Sequence, residues 1–299
     1  MIWSRFIHIL PAAALVAGAL AGCSDRPAAP PPPLDNIRTF QVKGVVQRLE
    51  SDGKSVVIRH EKITNYMDAM TMSLEVRDTN ELAGLAPGDA VSFRMLVTEE
   101  DGWIDQIRKL GTNVAAPPRE AYRQAPMVEP LRVGDAIPNY YFTNQLGRPI
   151  SLQDFRGQAL AITFIYTRCP YPNFCPRMSN RFLDAQKKLK ARPGGPANWH
   201  LLCVSFDPAY DTPARLKAYA ETWQQDPARW SFATGDLWTL DGITEQCGLQ
   251  FWREENAVLG HNVRAVVIDA AGRLQRVLEG NEWKADELVE ELVKAAKAK

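Results

Sequence analysis

LAITFIYTRCPYPNFCPRM, residues 160–178, decides the fold of the larger part of this chain. Its first seven residues, Leu160 to Tyr166, form a continuous apolar run suited to one buried central strand. The run leads into a loop holding Cys169 and Cys175, and a helix is predicted from about Pro176 to Ala191. Two cysteines between a buried strand and a helix start lie at the sheet edge, near the positive end of the helix dipole, which favours thiolate. Thiolate is both a soft metal ligand and a redox nucleophile.

Downstream, WHLLCVSF (199–206) is a second buried strand, and TPARLKAYAETWQQ (212–225) is a helix with Thr212 as N-cap and Pro213 at its first position. AVVIDAAGRLQRVLEG (265–280) reads as strand, turn and strand before a C-terminal helix. Strands alternating with helices and ending in a hairpin predict a thioredoxin-like α/β domain over residues 131–299. Upstream, two Pro-rich stretches, RPAAPPPP (26–33) and AAPPREAYRQAPMVEP (115–130), act as semi-rigid spacers rather than core. The first is a tether over 23–39 and the second a linker over 113–130. Between them, residues 40–112 alternate apolar and polar positions around the turn signals Ser51-Asp52-Gly53-Lys54 and Pro87-Gly88. They predict a small all-β barrel or sandwich, with AVSFRMLVTEEDGW and IDQIRKL among its strands. Lys plus Arg and Asp plus Glu balance at 35 each, which sets nucleic acid aside as a partner.

Residues 1–22 read as a targeting signal: Arg5, an apolar stretch from Phe6 to Leu20, then Leu20-Ala21-Gly22-Cys23. The last four residues resemble the lipobox of bacterial lipoproteins, which implies lipidation at Cys23, export and a membrane anchor facing the periplasm. Ser24 does not assign one membrane. In such a compartment Cys169, Cys175, Cys203 and Cys247 are free to pair, to bind metal or to stay buried. Cys203 falls in a buried strand and Cys247 in a helix-like segment, so both read as packed thiols, with a bridge between them left open.

Met67, Met70 and Met72 crowd into YMDAMTMSL, and His60 ends an apolar strand before them. Thioether sulfur with one imidazole matches Cu(I), although clustered Met also fills core gaps. His60, the MDAMTM stretch, VKGVV and LAGLAPGDAVSF together resemble the CusF-type periplasmic copper-binding domain. That resemblance implies an OB-like five-stranded barrel with His60, Met70 and Met72 as copper ligands. Met67 stands where the family pattern has a Trp, so the ring cover is absent, which either leaves copper more exposed or makes Met67 a further possible sulfur ligand. Asp68 is either a charge beside the site or a turn residue.

CPYPNFCP after a buried strand, then SFDPAYDTPARLKAYA, then GHNVRAVVIDAAGRL resemble, in order, the Sco/SenC family. The resemblance implies a thioredoxin-like fold, copper, as Cu(I) or Cu(II), on Cys169, Cys175 and His261, and a part in building the dinuclear copper centre of cytochrome c oxidase. One departure stands: five residues separate the cysteines where the family pattern has three, so affinity and potential do not transfer. His200 lacks any such context and reads as structural. Asp207 and Asp211 read as loop-shaping residues.

The leading expectation is an envelope copper chaperone that is not itself an enzyme and delivers to the copper-bearing subunit of the oxidase or another acceptor. Two alternatives stand beside it: a periplasmic thiol-disulfide oxidoreductase using Cys169 and Cys175 on a copper acceptor, and a periplasmic copper buffer. The missing proline before AVVID, where thioredoxins clamp substrate, argues against a general oxidoreductase.

Overall fold

In the computed structural model the described residues are 37–112, 128–253 and 259–298. The signal segment, Cys23, the first Pro-rich stretch and all but the last three residues of the second lie outside them. The described N-terminal part is all β: β1 (Arg38–Leu49), β2 (Ser55–His60), β3 (Met70–Glu75), β4 (Asp89–Val97) and β5 (Gly102–Thr112). Their order is β3-β2-β1-β4-β5 with antiparallel neighbours. A parallel bridge between Val76 and Ile104 closes the two ends, giving the OB-like barrel. Gly53, at φ +67°, makes the β1–β2 turn at the expected Asp-Gly.

AVSFRMLVTEEDGW is not one strand. Thr98 turns the chain, accepting from the Asp101 N–H at 2.9 Å and closing Thr98 N–H to the Asp101 carbonyl at 2.8 Å, so β5 starts at Gly102. The methionine segment is itself a strand. Along β3 the side chains of Met70, Met72 and Leu74 alternate into the interior, the period-2 signature of a half-buried strand.

The second part holds β6 (Tyr141–Asn144), β7 (Pro149–Ser151), β8 (Ala159–Ile165), α1 (Cys175–Ala191), β9 (Trp199–Ser205), α2 (Pro213–Thr222), β10 (Trp230–Thr234) and α3 (Leu237–Gln246). β11 (Phe251–Arg253), β12 (Leu259–His261), β13 (Arg264–Ile268), β14 (Leu274–Glu279) and α4 (Ala285–Ala295) follow. A seven-stranded sheet runs β14-β13-β8-β9-β10-β6-β7, with β8, β9 and β10 parallel at its centre. This is the thioredoxin-like α/β layer expected from the alternation. Every residue of β8 and β9 is buried, as strands covered on both faces must be. Thr212 caps α2 through the Arg215 N–H, with Pro213 at the first position.

The barrel and this domain fall in one compact unit. No helix of the described residues is long and apolar enough to cross a membrane.

Gly44 lets β1 and β2 meet closely beside His60. It pairs with His60, and a Cβ there would stand 2.4 Å from Ile58 Cγ2 and 2.7 Å from the Arg59 carbonyl oxygen. Gly44→Ala is therefore expected to destabilise the barrel by roughly 1–3 kcal/mol, the cost of overpacking against a backbone that cannot swing away, read by urea denaturation.

Candidate metal centre

β8 carries the chain into the loop that holds the first cysteine, and two buried carboxylates hold that loop. Asp211 accepts the Thr167 N–H at 3.0 Å, the Thr167 hydroxyl at 2.5 Å and the Ser205 hydroxyl at 2.5 Å. Asp207 receives the Arg168 guanidinium at 2.8 and 2.9 Å. Both carboxylates are fully buried, so Thr167 and Arg168, immediately before Cys169, are tied to the segment that follows β9. This is the loop-shaping service expected of Asp207 and Asp211.

Cys175 is the first residue of α1. His261 ends β12, where it pairs with Phe251. The Cys169 and Cys175 sulfurs and a His261 nitrogen all lie within 4.8 Å of one another. Cys175 Sγ is 3.8 Å from His261 Nε2 and accepts the Tyr166 N–H at 3.4 Å. A backbone carbonyl can only accept, so the 2.7 Å contact of His261 Nδ1 with the Asn262 carbonyl places the ring proton on Nδ1 and turns Nε2 to the sulfurs. Asn262 is itself fixed: its N–H donates to the Gln250 carbonyl at 3.0 Å, and its Oδ1 accepts the Gln250 N–H at 2.8 Å. Tyr166, Phe174 and Phe206 surround the imidazole with ring centroids 5.1–5.7 Å away.

The two thiols differ. Burial pushes Cys175 well above the ordinary thiol range, reinforced by neighbouring Cys169. For Cys169 burial acts upward too, but contacts from Cys175 and His261 outweigh it and hold this thiol well below its usual range. The helix start thus does not make Cys175 the thiolate. It is 1% exposed, and burial overrides the dipole, whereas Cys169 is partly open to solvent.

Two sulfurs and one nitrogen form a soft donor set. Ligands bound at roughly 2.0–2.3 Å to one ion lie about 3.5–4.5 Å apart, so the cluster has the dimensions of a metal centre.

In the barrel, the β2–β3 register sets His60 opposite Met70, and Met72 lies two residues along β3 on the same inward face. All three are buried. His60 Nδ1 donates to the Glu61 carbonyl at 2.7 Å, the same arrangement as in His261. Met67 is buried just before β3, its backbone paired with Ile63. Asp68 faces outward in an ion pair with Lys62 at 2.9 Å, the position of a turn residue.

Cys203 and Cys247 are both free buried thiols, and Cys203 accepts the Trp230 indole N–H at 3.3 Å. His200 packs on Phe155 and pairs with the Ser231 hydroxyl at 2.9 Å, away from both clusters. Sequence reading missed Asn262 and the three rings around His261; Phe174 was visible only as part of the loop.

Residues 129–297 match the SCO1/SenC family model, and residues 39–109 match the model for the copper binding periplasmic protein CusF. A SCO1 protein homolog of Bacillus subtilis is 34% identical over 96 residues, which are 32% of this chain and 47% of that protein. The chain spans about half the length, or less, of the curated relatives it matches. A SCO1/SenC family lipoprotein of Bacillus anthracis superposes with a TM-score of 0.49 at 22% identity, covering 58% of this chain and 99% of its own. Yeast Sco1 with copper bound superposes with a TM-score of 0.47 at 20% identity, covering 56% and 90%.

Cys169 is expected to react with iodoacetamide at neutral pH at least tenfold faster than Cys175 in the reduced, metal-free chain. Timed peptide mass spectrometry reads the order, and faster labelling of Cys175 would contradict the asymmetry. A second expectation concerns pH. Burial pushes His200 down to about 4, whereas an unfolded His titrates near 6.5. The unfolded chain therefore binds more protons between those values, and stability falls as pH drops from about 6.5 to about 4. His200→Gln should flatten that part of the pH profile in urea denaturation.

Proposed function

Because the SCO1/SenC model matches more than half of its length, the chain belongs to the SCO1/SenC family, and from that premise we propose that it is a copper chaperone of the bacterial cell envelope. Cys169, Cys175 and His261 are the copper ligands of the thioredoxin-like domain, and His60, Met70 and Met72 are those of the barrel, with Met67 as an adjacent sulfur. The observation that carries the reading is the convergence of two cysteine sulfurs and the His261 imidazole within 4.8 Å. The barrel's match to a copper binding periplasmic protein, and its inward-facing His60, Met70 and Met72, support a second site of the same chemical softness.

The chain's own residues prepare the exchange. Cys169 supplies a thiolate, Cys175 gives up its proton on binding, and His261 presents Nε2 because Asn262 holds Nδ1. The three surrounding rings exclude water from the imidazole while Cys169 stays open to an incoming acceptor ligand. The acceptor is the copper-bearing subunit of cytochrome c oxidase, approached from a lipid anchor at Cys23. The domains run 40–112 and 131–299, joined by the Pro-rich segment 113–130.

One observation favours a second reading. A partly exposed, low-pKa Cys169 beside a buried Cys175 is the pairing of an attacking and a resolving thiol. The Cys169 thiolate would attack an acceptor's disulfide and release one acceptor thiol, and Cys175 would then attack the Cys169 sulfur of the mixed disulfide and release the second. The acceptor would leave as a dithiol ready for copper while Cys169 and Cys175 are oxidised to a disulfide.

An anaerobic Cu(I) competition titration of the reduced chain from Ser24 onward separates the readings. Two tight equivalents are expected, falling to one in Cys175→Ser and to one in Met72→Leu. A chain that takes no tight copper would sink the chaperone reading and leave thiol-disulfide exchange as the function.

A further inference from the structure

The five residues between the cysteines do more than join them. Tyr171, 2% exposed, lies across Gly102 at the start of β5; a Cβ on Gly102 would stand 2.7 Å from its ring and 2.9 Å from its hydroxyl oxygen. Asn173, fully buried, donates Nδ2 to the Gly102 carbonyl at 2.5 Å and toward Glu75 at 3.4 Å. The Pro170 carbonyl accepts the Tyr66 hydroxyl at 3.1 Å.

The first turn of α1 continues the contact. Arg177 meets Asp101 at 2.6 Å and Glu75 at 3.6 Å, and Asn281 also donates to Glu75. Glu75 is the last residue of β3, so this polar cluster fixes one end of the strand that carries Met70 and Met72. β12, which ends in His261, lies against the same strand.

We propose that residues 170–174 are a docking clasp that seats the barrel on the cysteine site, laying β3 beside β12 so that copper passes from barrel to cysteines within the closed molecule. The docking stands on the contacts alone; the passage of copper rests on the function proposed above. In the exchange Cu(I) keeps its oxidation state. Its bonds to the Met70 and Met72 sulfurs and to His60 Nε2 break, and bonds to both cysteine sulfurs and His261 Nε2 form. The Cys175 proton leaves to solvent.

Backbone 15N relaxation on the reduced, metal-free chain from Ser24 onward, which keeps the compact unit 36–299, tests the clasp. One rotational correlation time, common to residues 38–112 and 131–298, is expected. Gly102→Ala drives a methyl into the Tyr171 ring without demanding an unusual backbone, and should split that value into two shorter, unequal ones. Asn173→Ala, which removes the bond to the Gly102 carbonyl, should do the same from the other side. Independent tumbling in the unaltered chain, or a common value retained in both variants, overturns the proposal.

With one equivalent of Cu(I) added, the copper–thiolate ultraviolet band should grow at a rate independent of protein concentration and at least tenfold slower in Gly102→Ala. Lost docking with an unchanged rate overturns passage within the closed molecule. Docking in a chain that takes no Cu(I) supports the clasp and overturns the chaperone reading instead.

Discussion

Two carboxylates buried without exposure, Asp207 and Asp211, are the constraint on which the cysteine site depends. A buried carboxylate must find partners for its charge, and both reach into the segment that carries Cys169, Asp211 through Thr167 and Asp207 through Arg168. Two hydrogen bonds from Thr167 to Asp211, which Ser205 holds at the end of β9, and the Arg168 ion pair to Asp207 fix Thr167 and Arg168 to the segment that follows β9. With that end held, the chain reaches Cys169 at a defined point, and α1 returns Cys175 to it. The carboxylates touch no sulfur. They act by leaving the loop no alternative geometry.

Both proposed copper sites solve the tautomer problem in one way. His60 and His261 each give Nδ1–H to the carbonyl of the next residue, at 2.7 Å in both cases. The bond is local and requires no distant partner, so it forms with the strand itself and aims Nε2 inward. An imidazole fixed in this manner is a ready ligand, since no tautomeric rearrangement precedes binding. What differs is the sulfur. Thioethers carry no proton, so the barrel set binds without proton release, whereas the cysteine set is coupled to the proton on Cys175.

Much of this was legible in the sequence because the signals were local. The apolar run 160–166, the Thr212-Pro213 helix start and the hairpin around Gly272 each declare themselves within a few residues, and each appears where expected. β3 is written there too: MTMSLE alternates strictly, and the same methionines that suit a soft metal also supply the apolar positions of its period-2 pattern. The β4–β5 turn was lost inside a run of polar residues because its closing bonds come from Thr98, not from a Gly or Pro. Asn262 and the rings around His261 were invisible for another reason. Phe174 and His261 stand 87 residues apart, and no local pattern announces such a meeting.

The longer spacing between the cysteines follows from the same geometry. A loop that leaves one sulfur and returns to another arches outward, and this arch carries Tyr171 and Phe174 on it. Left uncovered, two aromatic rings beside an accessible thiolate would be an apolar patch at a reactive site. They are 2% and 4% exposed: Tyr171 lies against Gly102 of the barrel, and Phe174 is packed between Tyr171 and His261. The rings also touch in series: Gly102 lies under Tyr171, Tyr171 meets Phe174 edge-on at 5.4 Å, and Phe174 meets His261 at 5.2 Å. The residues that lengthen the loop thus form a packed path between the barrel's seat and the imidazole.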